Sequence, residues 1–201
     1  QIALGSLLLV ASMFINTLGA TSHATWLWNQ RPKGIDEHPE RLWDWRQPQF
    51  LAGYLPYPPP PKIPILESRI DFSSPESEDF LWHGWYRGRD GEVWAESNAA
   101  IVFRLPSTQS AVLNLSVVAY LVPGKIDAQR VNVTLNEHRL GELMLNEIGS
   151  KVYSIQLPAQ FLKPNNTLSL QMPEAKAPLA IGAGEDPRLR SFNLQWIETG
   201  N

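Results

Sequence analysis

The stretch "RVNVTLN", Arg130 to Asn136, alternates apolar Val131, Val133 and Leu135 with polar Asn132 and Thr134. A period of two suits only an extended strand with one buried face. The pattern recurs along the chain. "YSIQLP" puts Tyr153, Ile155 and Leu157 on one face, and "TLSLQMP" does so with Leu168, Leu170 and Met172. "SFNLQWIE" repeats it with Phe192, Leu194 and Trp196, and "AVLNLSVVAYLVP" sets Leu113, Leu115, Val117 and Ala119 inward. "EVWAES" and "IVFRLP" bring the total to about eight strands, bounded by Gly, Pro and Asn turns. "LNEHRLGEL", Leu135 to Leu143, reads as a hairpin. The expectation is a mainly β chain, an antiparallel β-sandwich or jelly roll over residues 67–201.

The N-terminal stretch is of another kind. Ile2 to Ala20 contains no charged residue. At ~1.5 Å per residue a helix there would span roughly 28 Å, close to a bilayer's hydrocarbon core. One N-terminal transmembrane helix is therefore expected over residues 1–21. A cleavable signal peptide is the rival, because Ser22-His23-Ala24 has a small-x-small pattern. Gly5, Ser12 and Gly19 recur every seven residues and share a stripe of that helix, with Asn16 to one side. Small residues allow close approach and an amide seeks a partner, so this face is expected to meet another membrane protein.

Trp26, Trp28, Trp43 and Trp45 follow the helix, and indoles favour the headgroup layer. They are expected to be interfacial anchors, with packing beneath the following domain as the alternative for Trp43 and Trp45. The charges between them balance, which leans toward the outer side of the membrane. "PYPPPPKIP", Pro56 to Pro64, should form a semi-rigid polyproline strut. Residues 22–66 thus read as a Trp-rich juxtamembrane loop and spacer.

Chemistry is sparse. The net charge of −3 carries no basic excess, so nucleic acid is not an expected partner. There is no cysteine, the four histidines lack metal-ligand spacing, and no nucleophile elbow or phosphate loop is present. Glu92 and Glu96 flank Trp94, but on a strand such charges ordinarily face water. No catalytic residue, cofactor or metal is expected. "FLWHGWYRGRDGEVWAESNAAIVFRLP", Phe80 to Pro106, gathers Trp82, Trp85, Tyr86 and Trp94 among Arg87, Arg89, Asp90 and Glu92. Exposed, such rings hold sugars by their faces. The alternative is that they fill the core.

Three stretches carry a family likeness. "HPERLWDWRQPQFL" after an apolar helix resembles the segment following the last membrane helix of bacterial polytopic glycosyltransferases that use polyprenyl-phosphate sugars. "FLWHGWYRGRDGEVWAESNAAIVFRLP" and "PLAIGAGEDPRLRSFNLQWIE" resemble the extracytoplasmic β-sandwich domains of those transferases and of related envelope proteins. Gly84-Trp85, Trp94, Asp186, Arg188 and Phe192 approximate the pattern, with Leu189 beside its leucine position. The family's catalytic carboxylate lies in a multi-helix domain that this stretch of chain does not contain, so no catalytic residue is carried over.

The one apolar stretch implies a single-pass protein, and the resemblance implies the bacterial inner membrane with the C-terminal domain in the periplasm or outside. The expected role is a non-catalytic accessory or assembly subunit, bracing an integral membrane protein complex in the lipid bilayer. A carbohydrate-binding module that assists a membrane glycosyltransferase, with a glycan as ligand, is the alternative. Asp186 and Arg188 are expected to be structural, a charge-assisted bond pinning their loop to the sheet.

Overall fold

The computed structural model describes residues 2–21, 25, 28–29, 35–36, 39–45, 48–52, 54, 62–88 and 90–200. The chain divides into two compact units, Gln1–Pro59 and Pro60–Asn201.

The second unit is a sandwich of two sheets. Its strands are β1 (Ile70–Asp71), β2 (Trp85–Arg87), β3 (Val93–Ala95), β4 (Asn98–Phe103), β5 (Ala111–Ala119), β6 (Gln129–Leu135), β7 (His138–Leu145), β8 (Ser150–Leu157), β9 (Asn166–Gln171) and β10 (Phe192–Gly200). One sheet runs β2-β3-β10-β5-β8, with β1 also on β10; the other runs β4-β9-β6-β7. All named pairs are antiparallel. Ten strands replace the expected eight, because β1 and β2, two and three residues long, are too short to show a period.

The alternating positions fill the space between the sheets. Val131, Val133, Leu135, Ile155, Leu157, Leu168, Leu170 and Met172 are all at most 4% exposed. Leu113, Leu115 and Val117 join them from β5. Burial of this kind yields roughly 25 cal/mol per Å² of apolar surface and is the main force closing the sandwich. The β6–β7 hairpin turns on Asn136 and Glu137, both at positive φ (49° and 75°), the geometry that matches the twist of paired strands.

One strand breaks the alternation. Phe192 and Leu194 are in the core as expected, but Trp196 is not; Ile197 takes the inward place beyond it. A β-bulge lies between Leu194 and Trp196: Leu194 pairs with Val117 and Trp196 with Ser116, leaving Gln195 as the extra residue. The slip turns Gln195 and Trp196 together onto the outer face of the sheet.

The sandwich also begins earlier than residue 67. Ile65 bridges Arg104 in parallel, Leu66 is fully buried, and Leu66 N–H donates to Arg104 O at 2.8 Å. The proline run at 55–61, on which most of the strut expectation falls, lies outside the described residues.

In the first unit, α1 covers Ile2–Thr21, twenty residues without a charge. Among the described residues no helix is long and apolar enough to cross a membrane, so the crossing expected of this segment is not shown.

Candidate functional site

Three of the four rings expected to hold a sugar are buried. Trp85 points into the core, its Nε1–H donating to Ala100 O at 2.7 Å and its ring edge-on to Phe192. Gly84 at φ +76° lets this strand lie against β4, since a Cβ there would sit 1.7 Å from Asn98 O. Tyr86 and Trp94, at 7% exposure each, face the other side of the sheet, where the loop before β10 covers them. Trp82 is half-buried, edge-on to His83. These rings offer no row of open faces. Trp85, Tyr86 and Trp94 thus take the packing role that the sequence left as the alternative to a sugar platform.

The covering loop is held by charge and by stacking. Asp186 accepts from Arg188 Nε at 3.0 Å and Nη2 at 2.8 Å, and from Arg190 Nη2 at 2.7 Å. Arg188 lies over the Tyr86 ring at 4.2 Å and Arg190 over the Trp94 ring at 4.8 Å. Arg190 Nε also donates to Tyr86 Oη at 3.2 Å. The Arg188 donors, against a smaller opposing effect of burial, hold the Asp186 carboxyl far below the usual range. Burial pushes the Tyr86 hydroxyl up to about 12. Both arginines are committed to neighbours, so this cluster acts as a clasp between loop and sheet.

An open cleft of roughly 380 Å³ lies elsewhere on the same sheet. It forms where β1 and β3, which share one edge of β10, part from each other: Asp71 pairs with Trp196, Val93 with Leu194, and Gln195 falls between. Its floor is 193–196, and its walls are 69–73 and 90–93. Arg87 ties the walls together. Its Nη1 donates to Phe72 O and Gly91 O, each at 3.0 Å, while Nε donates to Glu78 Oε1 at 2.8 Å.

The cleft's chemistry is that of a polar ligand. Trp196 is half-buried, with the Arg69 guanidinium over its ring at 4.2 Å. A stacked guanidinium keeps its in-plane N–H groups available as donors. Asp71, Asp90 and Glu92 supply carboxylate acceptors. The Ser73 backbone N–H, at 2.9 Å from Asp71 Oδ1, lowers that carboxyl's pKa. Glu92 Oε2 accepts from Trp94 Nε1 at 3.0 Å and is fixed by it. Gln195 Oε1 accepts from the hydroxyls of Ser116 and Ser150. Asp90 and Glu92 lie within the stretch singled out in the sequence; Trp196, Arg69, Asp71 and Gln195 do not. The readable signal was "LQWIE", where Trp196 and Ile197 compete for one inward position.

In the first unit the four indoles behave differently. Trp28 is buried at 3%, its ring beneath Arg41 at 4.5 Å and its carbonyl accepting from Arg41 Nη2, so it is not presented as an interfacial anchor. Trp43 and Trp45 are 77% and 76% exposed, and Trp26 lies outside the described residues. On α1, Gly5, Ser12 and Asn16 are exposed, and Gly19 is described only as helical backbone. Asn16 does not wait for an outside partner: its Nδ2 donates to Ser12 O at 2.8 Å, within the helix. Among the described residues no group of His, Cys, Asp and Glu could hold a metal ion.

No family model and no curated protein matches the chain. Among solved structures it is similar to a family 35 carbohydrate-binding module from Clostridium thermocellum, at 13% identity over 66% of this chain and 98% of that one, TM-score 0.41. A family 35 module from an environmental isolate gives 18% identity, 59% and 78% coverage, and TM-score 0.37. A family GH115 4-O-methyl-alpha-glucuronidase gives 14% identity over 88% of this chain and 23% of that one, TM-score 0.44. Likenesses this distant say nothing of what the chain binds. No link to the polyprenyl-phosphate-sugar transferases is shown.

Proposed function

We propose that residues 60–201 form a non-catalytic carbohydrate-binding module whose site is the cleft at β1, β3 and β10. One observation carries this reading: the bulge at Gln195 turns a tryptophan out of the core and onto an open, polar cleft. Bulges re-aim side chains in this way next to binding sites. Arg69, stacked on the Trp196 ring, presents its in-plane donors beside carboxylates and amides, which suits a polyhydroxylated ligand whose hydroxyls pair with them. Titration calorimetry against a panel of neutral and acidic oligosaccharides tests it. Trp196→Ala is expected to weaken binding at least about tenfold, about 1.4 kcal/mol, with the melting temperature little changed. Binding that survives Trp196→Ala, or no binding by the native chain, sinks the proposal.

A second reading, an accessory subunit of a membrane complex, draws on α1. Its described side chains Leu8, Leu9, Val10, Met13 and Phe14 are each more than 60% exposed, an apolar surface that lipid or a membrane protein would cover. In this reading the chain sits at the bacterial inner membrane with the sandwich outside the cytoplasm. Replacing Leu8, Leu9 and Phe14 by serine should release the protein from the membrane fraction. Retention there counts against anchoring by α1.

A further inference from the structure

Building on the glycan-binding reading, we infer that the ligand is a linear, uncharged oligosaccharide lying across the strands from the cleft to β8, not a single sugar. The cleft opens between β1 and β3 on one edge of β10, with residues 193–196 of β10 as its floor. On the far edge of β10 lie β5 and then β8. The bulge residue joins these places physically: Gln195 lines the cleft, and its Oε1 accepts from Ser150 on β8 and from the buried Ser116 on β5.

The outward rows continue the path. Trp196 stands opposite Ser116, and Ser116 opposite Val152. Glu198 stands opposite Asn114, whose Oδ1 accepts from Ser154 Oγ at 2.7 Å. Ser150, Val152 and Ser154 are exposed, Val152 at 55%. Two strand spacings separate β10 from β8, roughly 10 Å, beyond the reach of one sugar ring seated in the cleft.

The charge pattern selects the class. Among these outward residues between β10 and β8 the one charge is the carboxylate of Glu198, and the cleft holds Asp71, Asp90 and Glu92 against Arg69. An anionic chain would bring its carboxylates against these three and be repelled.

The test uses the full chain with cellulose-, xylan- and amylose-derived sugars, each as monosaccharide and tetramer, and with tetragalacturonate. The tetramer of at least one neutral series is expected to bind about tenfold tighter than its monosaccharide. Val152→Asp, at an exposed strand position, should weaken that tetramer about tenfold while leaving the monosaccharide affinity and the melting curve unchanged. Equal affinity for monosaccharide and tetramer, or a tetramer indifferent to Val152→Asp, overturns the extended path while the cleft remains a sugar site. Tetragalacturonate binding as tightly as the neutral tetramers overturns the charge selection. If no sugar of any length binds the native chain, the glycan-binding reading falls and the inference with it.

Discussion

Glu137 and Gly84 both hold positive φ, and their neighbourhoods make the two positions opposites. Glu137, at φ 75°, is the second residue of the β6–β7 turn, where only glycine is free of strain. The turn survives because Asn136 is locked beside it, donating Nδ2 to Phe161 O and Asn166 Oδ1 and accepting from Thr167 N–H. Glu137→Gly should therefore stabilise the sandwich by about 0.5–1 kcal/mol in urea unfolding. At Gly84 the backbone of Asn98 occupies the place of a Cβ. Gly84→Ala must push β2 away from β4 and should cost about 3 kcal/mol or more. A Gly84→Ala protein of native stability would mean that the two strands do not lie this close.

At the scale of elements, Arg87 is the feature on which the cleft depends. Where β1 and β3 part, the carbonyls of Phe72 and Gly91 face the opening, and the single Nη1 of Arg87 serves both. Arg87→Gln should let the 69–73 and 90–93 segments separate. Faster amide hydrogen exchange is expected there, with the β6–β7–β9 sheet unaffected. Uniform exchange in both proteins would show that the walls hold themselves. The sequence made the long strands legible because each buries one face over several residues, so the period is unmistakable. It did not show the cleft, which is made by a single inserted residue and by two short strands sharing one edge. The rings that looked most like a site, Trp85 and Trp94, are core and clasp: composition marks where rings cluster, and only register says which way they face. At Asp186 the spacing suggested one partner, Arg188, whereas the carboxylate also accepts from Arg190, which the sequence did not single out.

For the whole molecule, the clasp sets the response to acid. Asp186 is ionised far below the ordinary carboxylate pKa of ~3.9. A carboxyl depressed by folding stabilises the fold above its unfolded pKa, and that contribution is lost as pH falls from there toward the folded value. Native stability should thus be flat in this term from neutral pH down to about 4 and then decline. Asp186→Asn should lack about 2 kcal/mol at neutral pH, and its curve should converge on the native one in acid. Parallel curves down to the lowest pH would remove the carboxylate from the account.

The sandwich's own beginning yields the last prediction. Ile63, Pro64 and Leu66 bind Arg104 by three hydrogen bonds: Arg104 Nε to Ile63 O at 2.9 Å, Arg104 N–H to Pro64 O at 2.8 Å, and Leu66 N–H to Arg104 O at 2.8 Å. Leu66 is fully buried among core residues. A fragment starting at Glu67 keeps every named strand, yet it leaves a Leu-sized cavity and strips partners from Arg104. A fragment starting at Pro60 keeps them all. Both should be all-β by circular dichroism if the strands alone carry the fold. The shorter one should unfold at lower urea, by about 3–5 kcal/mol from the lost leucine and the orphaned backbone groups together. Equal midpoints would show that residues 63–66 only lie along the sandwich, and that the boundary the sequence suggests at 67 is the energetic one.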